Sequence, residues 1–272
     1  MAKRLIPAQR FQRIQAYVQQ HRVARNAELC ELLEVSEATV RRDLEALEAR
    51  GVLERTHGGA IWTRRLPQEP VYAHSAEVHP GEKRAIGRAA AALVADGDTV
   101  FINSGTTTTE VMRSLAGRED LSRLTLVTTN VSGTLEVRHP GFDVILLGGL
   151  FRPQSNAVVG AFARRSLNRI YAAKAFIGVD GISPKAGITT PISAEADIAR
   201  LMVERTRGQV IVVADHSKWG VVSNFEIASI GDIHAVVSDD RLPRRARADL
   251  RAHSVRLVLA NINERPNGHR TK

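Results

Sequence analysis

The segment from Ser36 to Ala60, SEATVRRDLEALEARGVLERTHGGA, constrains the fold more than any other part of the chain. The hydroxyl of Ser36 can accept a hydrogen bond from a free backbone N–H, which is typical of the residue that caps a helix. Apolar residues follow at helical spacing and predict one buried stripe: Val40, Leu44 and Leu47. The residues off this stripe are expected to face solvent: Arg41, Arg42 and Asp43.

Two further helices are predicted before this segment. Asn26 is placed to cap a short leucine-rich helix, and only Glu34 and Val35 separate that helix from Ser36. Two short helices joined by so tight a turn are typical of a helix-turn-helix. An earlier helix supplies a third wall through its own apolar stripe: Phe11, Ile14 and Val18.

Two short strands are predicted after the recognition helix, at Val52–Arg55 and Ala60–Ile61, around a turn with paired glycines. A helix with an arginine face, joined to a basic hairpin, is the arrangement that enters a DNA groove. The alternative is a helix pair whose charged face is only solvated. The sequence therefore predicts a winged helix-turn-helix over residues 1–62.

This region resembles the DNA-binding domain of the DeoR family of bacterial transcriptional regulators. The family signature runs from a Ser-x-x-Thr-Val/Ile-Arg-Arg-Asp-Leu helix to a His-Gly-Gly-Ala wing, and both are present here. The resemblance implies contact with double-stranded operator DNA, where arginine is the commonest reader of guanine. His57 has a second possible role, which is to hold the wing turn. The residues expected at the DNA are Ser36, Glu37, Ala38, Thr39, Arg41, Arg42, Arg55 and His57.

Composition and charge narrow the function classes. The net charge of +9 is concentrated at the two ends, and residues 241–272 alone hold nine Lys or Arg against two Asp or Glu. Basic ends suit contact with phosphate backbones. The single cysteine, Cys30, excludes an internal disulfide framework. Histidines are scattered, so we predict neither a metal site nor a cofactor. No apolar run is long enough to span a bilayer, so we expect a cytoplasmic protein without membrane contact.

The rest of the chain predicts an α/β domain with a mainly parallel sheet. Residues 63–80 contain three prolines and no periodicity and are interpreted as a linker. Residues 81–260 alternate short apolar runs with helical stretches, and residues 261–272 are interpreted as a disordered basic tail. The runs predict strands at Thr99–Asn103, Leu124–Thr128, Val144–Leu147, Ala175–Val179, Val210–Ala214, Ala235–Ser238 and Val255–Leu259.

The carboxyl ends of these strands carry polar or glycine-rich loops, and ligands of parallel sheets bind at that edge. The loop from Ser104 opens a helix with glycine and threonines, a composition that suits a phosphate. The alternatives are ordinary helix caps for this loop, a turn-forming role for Asp180, and a first-turn helix acid for Glu195. The residues expected to bind an effector are Ser104, Gly105, Thr106, Thr107, Thr129, Asn130, Gly149, Asp180, Glu195 and Lys218.

These loops also resemble the DeoR sensor domain, whose fold is similar to ribose-5-phosphate isomerase and the CoA transferases. Many members carry a lysine one turn after the equivalent of Glu195, where this chain has Ala199 and Arg200. The resemblance implies a repressor of a carbohydrate or polyol operon, not an enzyme, whose operator affinity is set by a phosphorylated sugar. Symmetric operators imply a homo-oligomer, dimer or tetramer. The rival hypotheses are an aldose–ketose isomerase and a DNA-binding architectural protein. The sequence identifies neither the sugar nor the operator. The effector is either an inducer or a co-repressor, since both would use the same pocket.

Overall fold

The computed structural model describes residues 5–21, 23–49, 52–56, 58–62, 64–66 and 71–262. The N-terminal part builds three helices and a three-stranded antiparallel sheet in the order β1-β3-β2. This is the predicted winged helix-turn-helix, and both predicted wing strands are present. Its elements are α1 (Pro7–His21), β1 (Val23–Arg25), α2 (Asn26–Leu33), α3 (Glu37–Ala49), β2 (Leu53–Thr56) and β3 (Gly59–Trp62).

The predicted apolar stripes form the core of this part. Ile14 and Val18 of α1 are fully buried and Phe11 packs against them. The stripe of α3 is buried at every predicted position: Val40, Leu44 and Leu47. Burial of apolar faces supplies most of the stability of such short helices.

Two local predictions in this part are wrong. Asp43 does not face solvent, because Arg10 of α1 reaches across and donates two hydrogen bonds to its carboxylate, at 2.6 and 2.9 Å. Asn26 does not cap α2, because its side chain bonds Glu37 of α3 at 3.3 Å and Arg25 occupies the cap position. In both cases a partner on another helix overrides the local preference of the residue.

The C-terminal part contains a seven-stranded parallel sheet in the order β17-β16-β13-β10-β5-β6-β7. Each strand overlaps one of the predicted apolar runs, and three of them begin two to four residues earlier than predicted. The strands are β5 (Thr99–Ile102), β6 (Leu124–Thr128), β7 (Phe142–Leu146), β10 (Ala172–Gly178), β13 (Thr206–Val213), β16 (Ala235–Asp239) and β17 (Arg256–Ala260).

Helices cover both faces of this sheet, so successive residues of a strand enter different cores. Phe101 of β5 belongs to one core, and its neighbours Val100 and Ile102 belong to the other. Burial on both faces explains why these strands are continuous apolar runs rather than alternating ones. The helices are α5 (Pro80–Ala91), α6 (Thr106–Ala116), α7 (Val131–Glu136), α8 (Ala161–Leu167), α9 (Ser193–Glu204) and α10 (Arg244–Ala252).

Smaller elements surround the carboxyl edge of the sheet and were not predicted. A hairpin of β8 and β9 follows β7, and β11, β12 and β15 form a separate antiparallel sheet. The interval predicted as a linker contains a strand, β4, which pairs in parallel with β14, and a helix, α4. These elements are β4 (Arg64–Leu66), α4 (Tyr72–Glu77), β8 (Leu150–Arg152), β9 (Ala157–Val159), β11 (Gly181–Ser183), β12 (Gly187–Thr190), β14 (Val221–Ser223) and β15 (Phe225–Ala228).

The N-terminal part contacts the C-terminal part through the wing. Glu54 of β2 is buried, where it accepts hydrogen bonds from the Ser183 hydroxyl and, at 2.7 Å, from the backbone N–H of Lys185. Desolvation by burial raises the pKa of Glu54 despite these bonds. The ammonium group of Lys185 also pairs with Glu48 of α3. The hairpin of β11 and β12 therefore holds both the wing and the recognition helix.

Candidate functional site

The recognition helix α3 presents its polar face to solvent. Ser36 caps it, accepting a hydrogen bond from the Thr39 backbone N–H at 3.4 Å, and the two hydroxyls lie 3.0 Å apart. Exposed side chains on the first turns are those predicted at the DNA: Glu37, Ala38, Arg41 and Arg42. The structure therefore brings most of the predicted DNA-contacting residues onto one surface, while His57 lies outside the described residues.

Two arginines of this surface form ion pairs that solvent can reach. Arg41 pairs with Glu37 at 2.7 Å, and Arg55 of the wing pairs with Glu45 at 2.8 Å. Hydrogen bonds from Asn26 and then from Arg41 lower the pKa of Glu37, which keeps it ionised. Such solvent-accessible pairs contribute little to stability, so a phosphate or a base edge can replace the carboxylate. Arg42 makes no ion pair within the described part of the chain.

A second site lies at the carboxyl edge of the parallel sheet, where a cavity of about 300 Å³ opens between the strand ends and α4. Its volume lies at the lower end of the range for small-molecule sites. Seven of the ten residues predicted to bind an effector line this cavity: Ser104, Gly105, Thr106, Thr107, Asp180, Glu195 and Lys218.

The loop at the start of α6 forms the floor of the cavity. Gly105 has a φ of 149°, a conformation that side chains rarely adopt, and it immediately precedes the first turn of the helix. The free N–H groups of that turn favour an anion. Asn103 fixes the loop to β10, the neighbouring strand in the sheet. Its side chain donates to Gly178 O at 2.9 Å and accepts from Gly178 N at 2.7 Å.

Three predicted residues do not line the cavity. Thr129 and Asn130 are buried behind the loop, where Asn130 donates to Gly105 O at 3.1 Å and to the Thr109 hydroxyl at 2.9 Å. A Cβ on Gly149 would lie 2.5 Å from Val159 O, so this glycine permits the close approach of the hairpin strands. Asn130 shapes the loop and Gly149 packs the hairpin, and neither is placed to touch a ligand.

Two lysines give the cavity positive charge. Lys218 is partly exposed, and its Nζ lies 4.0 Å from Asp180 Oδ1. Lys83 is only 4% exposed and donates to Ser75 O and, at 2.6 Å, to Val78 O. Burial lowers the pKa of Lys83.

Sequence reasoning missed Lys83, although a signal for it exists. Lys83 occupies the same helical stripe of α5 as Gly87 and Ala90, and that stripe is buried against the sheet and α6. A lysine within an apolar stripe requires buried hydrogen-bond partners, which are rarely available outside a site.

Polar groups on the remaining walls suit a hydroxylated ligand. Asp180 accepts a hydrogen bond from the Thr190 hydroxyl at 3.0 Å, and Glu195 lies 3.5 Å from Arg152. The hydroxyl of Ser155 is buried at the wall without a hydrogen-bond partner in the described residues. Desolvated polar groups of this kind favour a ligand that supplies donors and acceptors.

The interval predicted as a linker closes one side of the cavity. Four of its residues line the space: Tyr72, His74, Ser75 and Val78. The phenol of Tyr72 lies 2.7 Å from the Thr109 hydroxyl, and its backbone N–H donates to Gln154 O at 2.8 Å. The chain that joins the two parts is thereby fixed to the helix that begins at the floor.

A buried ion pair supports the loop that carries Lys218. The Nδ1 atom of His216 lies 3.0 Å from Asp239 Oδ1, and its backbone N–H donates to the same carboxylate at 2.8 Å. The hydrogen bond to Asp239 raises the pKa of His216. Asp215 caps the same turn by accepting from Ser217 N at 2.9 Å, so the loop is held from both sides.

Comparison with known families agrees with both sites. The DeoR-like helix-turn-helix domain matches residues 10–65, and the DeoR C terminal sensor domain matches residues 78–240. The chain belongs to the DeoR family of transcriptional regulators. The helix-turn-helix lies within the first match, and the cavity is lined mostly by residues of the second.

Curated relatives of this DeoR-family regulator match along nearly its whole length. The HTH-type transcriptional regulator GlpR of Haloferax volcanii is 34% identical over 254 residues, which are 93% of this chain and 98% of that protein. The HTH-type transcriptional repressor GlcR of Bacillus subtilis is 34% identical over 86% of this chain and 88% of that protein. A putative aga operon transcriptional repressor of Escherichia coli O157:H7 is 32% identical over 92% of both.

Among solved structures, ribose 5-phosphate isomerase A of Methanocaldococcus jannaschii overlaps 50% of this chain and 53% of its own, at 16% identity and a TM-score of 0.37. An overlap this loose supports no statement about activity. Within the described residues, no helix of this DeoR-family regulator has the length and apolarity to cross a bilayer, and no cluster of His, Cys, Asp and Glu is arranged for a metal ion.

Proposed function

We propose that this regulator represses an operon for carbohydrate or polyol use, and that a phosphorylated sugar sets its affinity for double-stranded operator DNA. The observation that carries the proposal is the cavity, in which a helix start and two lysines meet carboxylates and a buried hydroxyl that has no partner among the described residues. Two of the relatives described above are named as repressors, one of them as a putative aga operon repressor, which supports the same class of target. A regulator of operons works beside the chromosome, in the cytoplasm.

The cavity offers separate partners for the two ends of a sugar phosphate. The phosphate fits the Ser104–Thr107 loop, with Lys218 and the third N–H of the Lys83 ammonium group as counter-charges. The sugar hydroxyls fit Asp180, Glu195 and the buried hydroxyl of Ser155. The partners for the phosphate and for the hydroxyls lie within one cavity of about 300 Å³, which favours a small ligand over a dinucleotide.

The hairpin of β11 and β12 provides the connection to DNA. Its base lies at the cavity, where Asp180 and Thr190 bond each other, and its tip holds Glu54 of the wing and Glu48 of α3. A ligand that engages Asp180 shifts the base of the hairpin and thereby releases or tightens the wing. Allostery requires such differential contacts in two states, and the hairpin supplies them.

Binding assays test the proposal directly. A panel of phosphorylated sugars is screened by thermal shift, with inorganic phosphate and the unphosphorylated sugars as controls. A ligand at one hundred times its Kd stabilises the folded protein by about 2.7 kcal/mol, so a true effector raises the Tm clearly. The same compound changes operator affinity at least fivefold in a mobility shift. A flat response across the panel contradicts the effector and leaves the DNA-binding function standing.

The enzyme alternative is tested with the same compounds. An isomerase needs a carboxylate base free to act at the sugar carbon, whereas Asp180 and Glu195 are each engaged by a neighbouring side chain. We expect no aldose–ketose exchange above background in the purified protein. Turnover of any panel member overturns the regulator-only proposal.

A further inference from the structure

The outer edge of β7 is exposed and apolar. β7 is the last strand of the sheet and pairs only with β6 within the described part of the chain. Large apolar side chains around it reach solvent, including Leu150 at 65% and Phe162 at 74%. We call this set the β7 surface; its members are Leu135, Ile145, Leu146, Leu150, Phe151 and Phe162.

These residues lie on β7 and on the elements next to it in the chain. Ile145 and Leu146 end β7, and Leu150 begins the β8–β9 hairpin after a short glycine turn. Leu150 pairs across the hairpin with Val159, which brings it beside the start of α8 and Phe162. Large exposed apolar side chains gathered around one edge strand mark a candidate interaction site.

The opposite edge of the same sheet is built differently. β17 is also an edge strand, but it begins with the exposed Arg256, and the preceding helix α10 adds the exposed Arg244 and Arg251. Charged side chains on an edge strand prevent pairing with another chain. β7 has only Asp143 as a charged residue and no proline, so its edge is open to a partner.

We propose that a second copy of this chain covers the β7 surface, with the two β7 strands antiparallel across a twofold axis. The proposal rests on the proposed operator binding, because a palindromic operator needs two heads related by such an axis. The six side chains expose roughly 700 Å² if a fully exposed apolar side chain offers about 200 Å², close to the 800 Å² per partner of a stable interface.

The β7 surface adjoins the cavity. The turn of the β8–β9 hairpin provides Ser155 to the cavity wall and accepts the hydrogen bond from Tyr72 N through Gln154 O. Arg152, at the end of β8, lies beside Glu195. The dimer contact therefore braces the wall on which the ligand and α4 meet.

Sedimentation of the full chain tests this surface, with Leu146→Glu and Leu259→Glu as a matched pair. Leu146 is 43% exposed on β7 and Leu259 is 40% exposed on β17, so both substitutions add the same charge to an edge strand of one sheet. We expect a wild-type dimer or larger assembly, Leu146→Glu at half that mass, and Leu259→Glu at the wild-type mass. Circular dichroism and thermal melts verify that both variants are folded.

A second variant, Leu150→Glu, repeats the test on the hairpin, where the change lies outside the sheet. A monomeric wild-type protein overturns the proposal, as does unchanged mass in both Leu146→Glu and Leu150→Glu. Mass is measured without DNA, so the outcome is separate from operator binding. If the wild-type protein dimerises through this surface but binds no operator, the proposed function fails and the surface stands.

Discussion

The N-terminal helix-turn-helix domain, here called the head, and the C-terminal domain, here called the sensor, both use cations, but in opposite ways. Arg41 of α3 and Arg55 of the wing are accessible to solvent and their ion pairs are replaceable, whereas Lys83 of the cavity is buried and already bonded to two backbone carbonyls. An exposed arginine that contacts DNA releases counterions from the phosphate backbone, so its contribution to operator affinity falls as the salt concentration rises. A buried lysine is already held in position, and salt weakens its interactions much less. Operator binding should therefore be much more salt-dependent than effector binding.

The largest effect is expected where the head breaks this pattern, at the buried pair of Arg10 and Asp43. Asp43→Ala removes the carboxylate and leaves a guanidinium without its two hydrogen bonds. We expect a loss of about 3 kcal/mol in the free energy of unfolding, measured by urea denaturation, with the head melting before the sensor. Glu45→Ala removes an exposed carboxylate of the same helix and should change stability little. Equal stability of the two variants would show that Asp43 is not a structural residue.

Arg42→Ala tests the exposed cations of the head. We expect operator affinity to fall by roughly 2 kcal/mol, about thirtyfold, with the Tm unchanged, because the side chain is exposed and makes no ion pair within the described residues. Arg123→Ala is the control, since it removes the same charge from a highly exposed site on the sensor. An affinity loss as large in the control as in Arg42→Ala would reduce the role of Arg42 to net charge.

Lys83→Met tests the buried cation of the sensor. Ser75 O and Val78 O lose a donor, so we expect a loss of about 1 kcal/mol in stability and no Tm shift with the effector. Operator binding without the effector should persist. Arg84→Met, at the exposed neighbouring position of α5, should keep the wild-type response. A full effector response in Lys83→Met removes this lysine from the site.

The smallest effect concerns pH and the pair of His216 and Asp239. The pKa of His216 is raised in the folded protein, so the stability from its charged form is complete below the unfolded pKa of about 6.5 and is lost as pH rises through the folded value. We expect His216→Gln to be less stable than wild type by less than about 1 kcal/mol at pH 6, with the difference shrinking toward pH 8.5. His253→Gln, at an exposed histidine, is the control in the same urea titrations.

Periodicity and apolar runs predict much of this fold because burial against a sheet or a helix core is recorded along the chain itself. All seven strands of the sheet and the stripe of α3 follow from such patterns. What depends on a distant partner is not recorded in that way. The inward turn of Asp43 depends on Arg10, and the cavity side of α4 depends on strand ends far along the sequence. Asn130 and Gly149 carry site-like motifs, but their contacts show that they support the loop and the hairpin.

The contact of α4 with the cavity has a consequence for exchanging heads between regulators. The helix-turn-helix match ends at residue 65 and the sensor match begins at residue 78. The interval between them therefore looks like a neutral place to join one head to another sensor. Tyr72 and Ser75 lie inside that interval and touch the cavity. A chimaera joined after Leu66 keeps α4 together with the cavity that it lines. One joined at Pro80 combines this cavity with the corresponding segment of another regulator. Ligand preference would then change with a cut that touches neither domain.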